Sequence, residues 1–240
     1  MKEGFLPIDA PDSGDILNCM RCGACLPTCP TFQLTGQERS SPRGRIALMR
    51  AVSENELPLD ADIFGQEMDF CVGCLACVSA CPAGVNYSHL LEQSRDQVAR
   101  VRRETWPWWK RTAVDVAFGM FEHLGRLRLL GRALRLYQIS GLRWLVRTSR
   151  VLSLFPRQLG EMEKLLSDIP ARFSSQVLPE VGPGQGARVG MLTGCVMDFL
   201  FVEENLATAS ILQDLGGTVV TPRKQGCCGA LHAHAGSLAA

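Results

Sequence analysis

The chain has 240 residues, of which 46% are hydrophobic and 20% are charged, and its formal net charge is +1. This composition supports one large or two small folded domains. The net charge is too small to attract a polyanion to the molecule as a whole. The 11 cysteines are odd in number, and no apolar signal-peptide core precedes them. No uncharged apolar run reaches the roughly 18 residues of a membrane span. We therefore expect thiols in a reducing cytoplasm, engaged in metal or redox chemistry.

Charge and cysteine content divide the chain into three segments. Residues 1–99 have a net charge of −6 and hold eight cysteines. Residues 100–150 have a net charge of +9 and no cysteine, and residues 151–240 have −2 and three cysteines. We interpret these segments as a cysteine-rich module, a basic connector and the beginning of a C-terminal module.

A duplicated cysteine run dominates the first module. Each copy has the spacing Cys-x-x-Cys-x-x-Cys-x-x-x-Cys-Pro, and the copies are offset by 52 residues. Bacterial two-cluster ferredoxins use this spacing, because one tight loop supplies three thiolates to a [4Fe–4S] cluster and the other run supplies the fourth. Gly23 and Gly73 allow the unusual backbone angles of such loops.

The crossed pattern predicts the ligands of each cluster. The first set is Cys19, Cys22, Cys25 and Cys81, and the second set is Cys71, Cys74, Cys77 and Cys29. Because cysteine then fills every iron position, we expect electron transfer here and substrate chemistry in a partner. The alternative is structural zinc, which usually pairs two Cys-x-x-Cys elements about 12–20 residues apart.

Helices are predicted between and after the runs. Ser41-Pro42 begins one helix, and residues 89–101 form another. Residues 104–165 are predicted as amphipathic helices. One face there contains Leu127, Leu130, Leu134 and Tyr137, and Arg128, Arg132 and Arg135 lie roughly opposite.

Tryptophans flank this basic region, and they suit a membrane surface. They are Trp106, Trp108, Trp109 and Trp144. We favour the interpretation that the apolar face packs on the first module while the arginines are solvated or dock an acidic partner.

The C-terminal module is predicted to be α/β. A glycine-rich linker at 182–186 precedes a strand at 187–192, a helix at 199–215 and a parallel strand at 218–221. Cys195 follows the first strand, and Cys227-Cys228 follows the second, so these thiols are expected to meet at one sheet edge as a third metal site. The alternative is a buried, inert Cys195. Nearby His232 and His234 are favoured as helix-surface residues.

These stretches resemble the iron–sulfur subunit of bacterial glycolate oxidase. The matching segments are 29–38 (CPTFQLTGQE), 41–46 (SPRGRI) and 81–91 (CPAGVNYSHLL). The Cys195 to Cys227-Cys228-Gly229 spacing resembles the first half of the cysteine-rich CCG domain of that family and of heterodisulfide reductases. The resemblance implies an α-helical two-cluster ferredoxin domain (1–103), a helical connector (104–186) and the start of an α/β CCG domain (187–240).

The resemblance also implies a function. The chain is expected to be an electron-transfer subunit in a complex with flavin-containing subunits that oxidise glycolate to glyoxylate, with a quinone or another acceptor. We expect a cytoplasmic protein, with peripheral contact at the inner face of the membrane as an addition. A CCG domain usually continues past its Cys-Cys pair, whereas 12 residues follow Cys228. We therefore expect a C-terminally truncated sequence with an incomplete third site.

Two alternatives stay open. Related subunits for lactate, glycerol-3-phosphate and heterodisulfide oxidoreduction use the same modules, and the partner chooses the substrate. An iron–sulfur redox sensor is the second alternative, although the sequence contains no nucleic-acid-binding motif.

Overall fold

The computed structural model describes residues 4–149, 151–154 and 157–237. They form two compact units. One contains the chain up to Val114 and the segment from Gly229 onward, and the other runs from Asp115 to Cys228. In the part of the chain that is described, no helix combines the length and the apolar character needed to cross a membrane.

Helices dominate both units, as the sequence predicts. In chain order the elements are α1 (Ser13–Leu17), α2 (Pro30–Thr35), α3 (Pro42–Ser53), α4 (Asp62–Phe70), α5 (Ala76–Ser79), α6 (Tyr87–Thr105), α7 (Trp108–Phe121), α8 (Leu124–Ile139), α9 (Leu142–Ser149), α10 (Arg157–Leu165), α11 (Ser174–Val177), β1 (Arg188–Gly190), α12 (Met197–Leu200), α13 (Val202–Asp214), β2 (Thr218–Val220) and α14 (Ala230–His234). Short 3₁₀ turns lie at Glu38–Ser40 and Val151–Leu154.

The two helices predicted in the first module are confirmed. α3 begins at Pro42, and the Ser41 hydroxyl caps it by accepting a hydrogen bond from the Gly44 N–H at 3.0 Å. Proline suits the first helical position because its missing N–H would have no partner there. The second helix, α6, contains the whole predicted range of 89–101 and extends beyond it at both ends.

The core of the first unit lies among α3, α4 and α6. Met49, Phe64 and Leu90 are fully buried in it. Each such side chain contributes roughly 1.5–3 kcal/mol relative to exposure. Five cysteines of the two runs contact the same core: Cys19, Cys25, Cys71, Cys77 and Cys81. The apolar core therefore supports the cysteine loops directly.

The second unit contains the predicted parallel strand pair. β1 and β2 are parallel, with Val189 opposite Val219. The helix expected at 199–215 is instead two helices, α12 and α13, separated by Phe201 with φ −120° and ψ 49°. Asp198 and Phe199 at the end of α12 are both buried. The chain leaves helical geometry after them to bring α13 against the strands.

The glycine-rich segment at 182–186, which is predicted as a linker, forms backbone hydrogen bonds with β2 and the turn before it. The Gly182 N–H donates to the Val219 carbonyl at 2.8 Å, and the Gly186 N–H donates to Gly216 at 2.9 Å. A β-carbon at Gly184 would overlap the Gly217 backbone. The glycines therefore allow two backbones to approach closely.

The prediction that the arginines of α8 are solvated is correct for Arg132, which is exposed, and only partly correct for Arg128 and Arg135, which are half-buried. Arg128 pairs with Asp198 at 3.0 Å, and Arg135 donates to the Ile169 carbonyl at 2.6 Å. The Arg132 guanidinium lies 6.0 Å from the ring centroid of Phe173. Long arginine stems reach around a helix to such partners, which periodicity alone does not reveal.

Leu130, which the pattern places on the apolar face of α8, is exposed. Leu127 is buried, as the pattern predicts, and Gly131 is buried as well. The buried face of α8 is thus narrower than predicted. It packs closely against Phe173 and Phe199 at Gly131, where a β-carbon would already contact both rings.

Candidate metal centre

The two cysteine runs adopt the same local backbone. In the first run the Leu26 N–H donates to the Gly23 carbonyl at 2.9 Å, and in the second the Val78 N–H donates to Leu75 at 2.9 Å. The next turn is also repeated, with Cys29 bonded to Leu26 and Cys81 to Val78, each at 3.2 Å. The duplication in sequence is therefore a duplication in loop geometry.

Left-handed residues curl each loop around its thiols. Arg21 has φ +57° and Gly23 has φ +86°, and their counterparts Gly73 and Leu75 have φ +67° and +57°. The prediction of unusual angles at the two glycines is correct. The sequence does not indicate Arg21 and Leu75, because side chains other than glycine seldom adopt this region. Such strained positions cluster at ligand-binding loops.

An open pocket with an empty volume of about 440 Å³ lies at the first run. Cys19, Cys22, Cys25 and Cys81 all line it. Those four are the set that crossed ligation predicts for the first cluster. Cys77 of the second run also reaches this pocket.

Cys29 faces a different environment from the other cysteines of its run. Its Sγ lies 3.2 Å from Thr31 Oγ1 and 3.7 Å from the Ser40 carbonyl oxygen. Burial raises the pKa of the Cys29 thiol, but bonds from Thr31, backbone N–H groups and the charge of Arg45 outweigh this and lower it. The pocket at the first run does not include Cys29.

Tyr87 interacts with Arg45 and with Cys71 of the second run. Its hydroxyl donates to Cys71 Sγ at 3.6 Å. Burial, followed by the nearby charge of Cys71, raises the pKa of Tyr87 well above its usual value, while Arg45 opposes the increase. Arg45 thus acts on Cys29 and on Tyr87, and Tyr87 contacts Cys71. Tyr87 also lines the pocket at the first run.

The cysteine thiols lie close enough together that their thiolate forms repel one another. Their pKa values therefore indicate whether the site needs the positive charge of a metal cluster. Burial, followed by the charges of Cys71, Cys25 and Cys74, raises the pKa of Cys77 to about 12. The pKa of Cys25 is also raised, chiefly by burial. Metal binding requires thiolates and supplies the positive charge that holds them together. The donor set therefore fits iron–sulfur clusters.

Within the described ranges, no three histidine, cysteine or acidic side chains are arranged to hold a single metal ion. A cubane differs from such a site because its four irons each take one thiolate, so the sulfurs surround a larger body.

The last three cysteines follow the two strands, as predicted, and Gln225 joins the loops that carry them. Gln225 Oε1 accepts from the Thr193 N–H at 2.9 Å and from its hydroxyl at 3.1 Å, and Gln225 Nε2 donates to the Met191 carbonyl at 3.1 Å. Cys195 is half-buried against an apolar cluster, and Cys228 is exposed. A third site at Cys195, Cys227 and Cys228 remains a prediction.

The histidines after the Cys-Cys pair lie on α14. His234 Nδ1 is 3.2 Å from Glu92, and its carbonyl accepts from Arg95 at 3.0 Å. His232 is buried. The expectation of two helix-surface histidines is therefore correct for His234 and wrong for His232.

Sequence reasoning missed Glu67. This carboxylate is buried on α4 with Phe64 and Met68, where it contacts Arg39, Ser40 and Arg45. The available signal was an acidic residue on an otherwise apolar helical face.

Three family models match the sequence. They are a 4Fe-4S dicluster domain over residues 15–85, the linker region of the glycolate oxidase iron–sulfur subunit over residues 109–166 and a cysteine-rich CCG domain over residues 189–238. The chain therefore carries [4Fe–4S] clusters in a dicluster domain, followed by a CCG domain. No solved structure matches the chain.

Curated proteins from two bacteria are similar over most of the chain. The probable glycolate oxidase iron–sulfur subunit of Bacillus subtilis (strain 168) is 42% identical over 231 residues, covering 94% of this chain and 51% of that protein. The glycolate oxidase iron–sulfur subunit of Escherichia coli (strain K12) is 33% identical over 219 residues, covering 90% and 47%.

A more distant relative comes from an archaeon. It is one of the subunits of the dihydromethanophenazine:CoB–CoM heterodisulfide reductase of Methanosarcina barkeri (strain Fusaro / DSM 804). The two sequences are 26% identical over 119 residues, covering 44% of this chain and 29% of that protein. The chain spans about half the length of the two bacterial relatives.

Proposed function

Because the chain belongs to the glycolate oxidase iron–sulfur subunit family, we propose that it is the electron-transfer subunit of a glycolate oxidase complex. A flavin-containing partner oxidises glycolate to glyoxylate, and a quinone or another acceptor receives the electrons. One observation carries the proposal: two cysteine runs share one loop geometry, and the thiols of both runs line one pocket. Such a site suits electron transfer better than substrate chemistry, since cysteine fills every iron position.

We propose that the two clusters are held by crossed ligand sets. Cys19, Cys22, Cys25 and Cys81 hold the first cluster, and Cys71, Cys74, Cys77 and Cys29 hold the second. The lining of the pocket at the first run supports the first set. Arg45 acts on Cys29 and on Tyr87, and Tyr87 donates to Cys71, which supports the second set.

The protein's own residues orient and shield these thiolates. When bound, [4Fe–4S] clusters supply reversible one-electron chemistry. The turns at residues 23–29 and 75–81 fix the thiol directions, and the Tyr87 hydroxyl donates to Cys71 Sγ. Pro42, Ile46 and Val85 contribute apolar surface to the first pocket, which limits access of water.

The experiment that tests the function uses the chain purified anaerobically with its co-expressed genomic neighbours. We expect about eight irons per chain, two interacting EPR signals and reduction of a co-purifying flavoprotein by glycolate. Lactate and glycerol 3-phosphate are the matched alternative substrates. Reduction by one of these and not by glycolate would retain the electron-transfer role and reject glycolate. Zinc in place of iron would reject the role itself.

Crossed ligation predicts the effect of Cys29→Ser. This variant should lose the cluster of the second run and retain that of the first, with about half the iron of the parent protein. Site-resolved EPR and iron analysis measure both quantities. Thr208→Ala is the control, since Thr208 is exposed on α13 and belongs to none of the proposed ligand sets. Loss of only the first-run cluster would contradict the crossing.

We propose a third group at the CCG domain, held by Cys195, Cys227 and Cys228 with ligands from elsewhere. Gln225 supports this proposal because it joins the two loops that carry these cysteines. Cys228→Ser should lower the metal content below that of the parent protein while leaving the EPR signals of both ferredoxin-type clusters unchanged. An unchanged metal content would reject the third group.

Contact with a membrane surface is a separate proposal for the acceptor side of the complex. Trp108 and Trp144 are 77% and 69% exposed, which suits an interfacial position. The ion pairs of Arg143 and Arg147 with Glu163 weaken it, because they neutralise part of the basic surface. Flotation of the purified complex with anionic liposomes tests the contact, and its absence from the floating fraction would reject it.

A further inference from the structure

Arginines accompany both cysteine runs. Arg43 lines the first pocket, donates to the Arg21 carbonyl at 2.9 Å and pairs with Glu38. Its counterpart 52 positions later, Arg95, donates to the Cys71 carbonyl of the second run. Arg45 belongs to neither of these matched contacts. Its side chain has 0% exposure, whereas that of Arg43 is 27% exposed and screened by solvent.

The contacts of Arg45 leave one donor group free. Its Nε donates to the Glu67 carbonyl at 2.7 Å, and its Nη2 donates to Thr31 Oγ1 at 3.2 Å. Its Nη1 is buried and has no hydrogen-bond partner among the described residues. An unpartnered guanidinium N–H is costly unless another acceptor is present, such as a thiolate or an inorganic sulfide of a cluster.

Arg45 is coupled to both parts of the second ligand set. Thr31, which accepts from Arg45, lies 3.2 Å from Cys29 Sγ. The charge of Arg45 also acts on Tyr87, whose hydroxyl donates to Cys71 Sγ. Arg45 therefore lies beside or acts on the hydrogen-bond partner of each cysteine, which is Thr31 for Cys29 and Tyr87 for Cys71.

The buried partner of the Arg45 charge is Glu67. Glu67 Oε2 lies 3.7 Å from Arg45 Nη2, and its Oε1 lies 3.0 Å from Nε of Arg39, whose side chain is 53% exposed and therefore screened by solvent. Arg45 is the member of the buried pair that contacts Thr31 beside Cys29. Charges act strongly at short range in a low-dielectric interior.

We propose that Arg45 is a positioning residue of the second cluster and that its buried charge makes this cluster easier to reduce than the first. Reduction adds one electron from an external donor and breaks no bond, so the site gains one negative charge. A buried cation and an additional N–H donor both stabilise that charge and raise the reduction potential. The inference rests on the ligand sets proposed above.

The test is an EPR-monitored titration of the purified complex with dithionite. Arg45→Gln should lower the reduced-to-oxidised ratio of the second cluster about tenfold at a given potential, a shift of about 59 mV for a one-electron couple. The first cluster should not shift. Cys74→Ser identifies the signal of the second cluster, because Cys74 belongs to that run under either ligation pattern.

Two further variants separate this role from a purely structural one. Glu67→Gln removes the opposing carboxylate and should shift the second cluster in the opposite direction, toward easier reduction. Arg45→Lys keeps the charge and should recover most of the parent potential. Arg43→Gln is the matched control, and it should act on the first cluster alone. If Arg45→Gln fails to assemble, the directions of Glu67→Gln and Arg45→Lys carry the test.

The outcomes distinguish this inference from the proposed function. Two clusters whose potentials stay unchanged in all Arg45 and Glu67 variants would overturn the role of Arg45 alone. Equal shifts of the same sign in Arg45→Gln and Glu67→Gln would also overturn it. Assembled clusters with the expected opposite shifts, but no reduction of the partner by glycolate, would support the role of Arg45 and reject the glycolate function.

Discussion

Gly44 lies where α3 meets the 3₁₀ turn at Glu38–Ser40. A β-carbon on Gly44 would overlap the backbone carbonyl of Glu38, which cannot move aside as a flexible side chain would. The turn also contains Ser40, whose carbonyl accepts from Thr31 at 2.7 Å beside Cys29. A methyl group at Gly44 would therefore disturb the surroundings of the second ligand set as well as the helix.

We expect Gly44→Ala to lower the free energy of unfolding by about 1–3 kcal/mol or more through overpacking. Denaturant unfolding of the complex under anaerobic conditions measures this change. Gly119→Ala is the control, since a β-carbon there meets only the end of Arg126 at 3.9 Å. Helix propensity should make that control neutral or stabilising, by up to about 1 kcal/mol. Equal effects of both variants would contradict the backbone clash.

At the level of elements, the junction of α8, α11 and α12 depends on one buried carboxylate. Asp198 is 1% exposed and accepts from Arg128 Nε at 3.0 Å, from the Ser175 N–H at 2.8 Å and from the Ser175 hydroxyl at 3.1 Å. Asp198 on α12 and its partners on α8 and α11 thus join three elements that are far apart in sequence. This junction explains why α8 directs an arginine inward and why α12 ends where it does.

We expect Asp198→Ala to destabilise the protein by about 2–3 kcal/mol, because it leaves donors of Ser175 and Arg128 without an acceptor. Thermal unfolding measures the loss. Asp168→Ala is the matched control: Asp168 pairs with Arg143 at 2.6 Å, but its side chain is 89% exposed. Such an exposed pair is worth about 0–1 kcal/mol. A comparable loss in both variants would show that burial of Asp198 is irrelevant.

At the level of the whole molecule, the run cysteines belong to the core of one unit. Cys77 is buried in that core, and four other run cysteines pack against it. In the second unit, Cys195 is the cysteine that packs against an apolar cluster among the described residues. Cluster loss is therefore expected to affect the two units unequally.

We expect anaerobic removal of iron to accelerate amide hydrogen exchange in the first unit by about an order of magnitude or more, since metal binding contributes directly to folding. The segments at 19–29 and 71–81 should respond most. Amides of α8 serve as the internal control and should keep their protection, because this helix carries none of the proposed ligands. Loss of protection in the strands as well would instead indicate a metal-dependent site at Cys195, Cys227 and Cys228.

The spacing of the cysteine runs determined the type of cofactor and its loops without any tertiary information. Ligands within one run are close in sequence, so backbone geometry alone brings them together. Ser41-Pro42 likewise determined the start of α3, because capping depends on adjacent residues. The parallel strands followed from a short apolar run and a β-branched run separated by a helix.

Only the tertiary structure decided which charged residues are buried. Arg45 with Glu67 and Arg128 with Asp198 are pairs of residues separated by 22 and 70 positions. No periodic pattern identifies such partners, because their contact depends on which helix faces pack together. For the same reason, the sequence predicted two equivalent cysteine runs, whereas the fold buries Arg45 beside Thr31 and Cys29 and leaves Arg43 at the first pocket partly exposed to solvent.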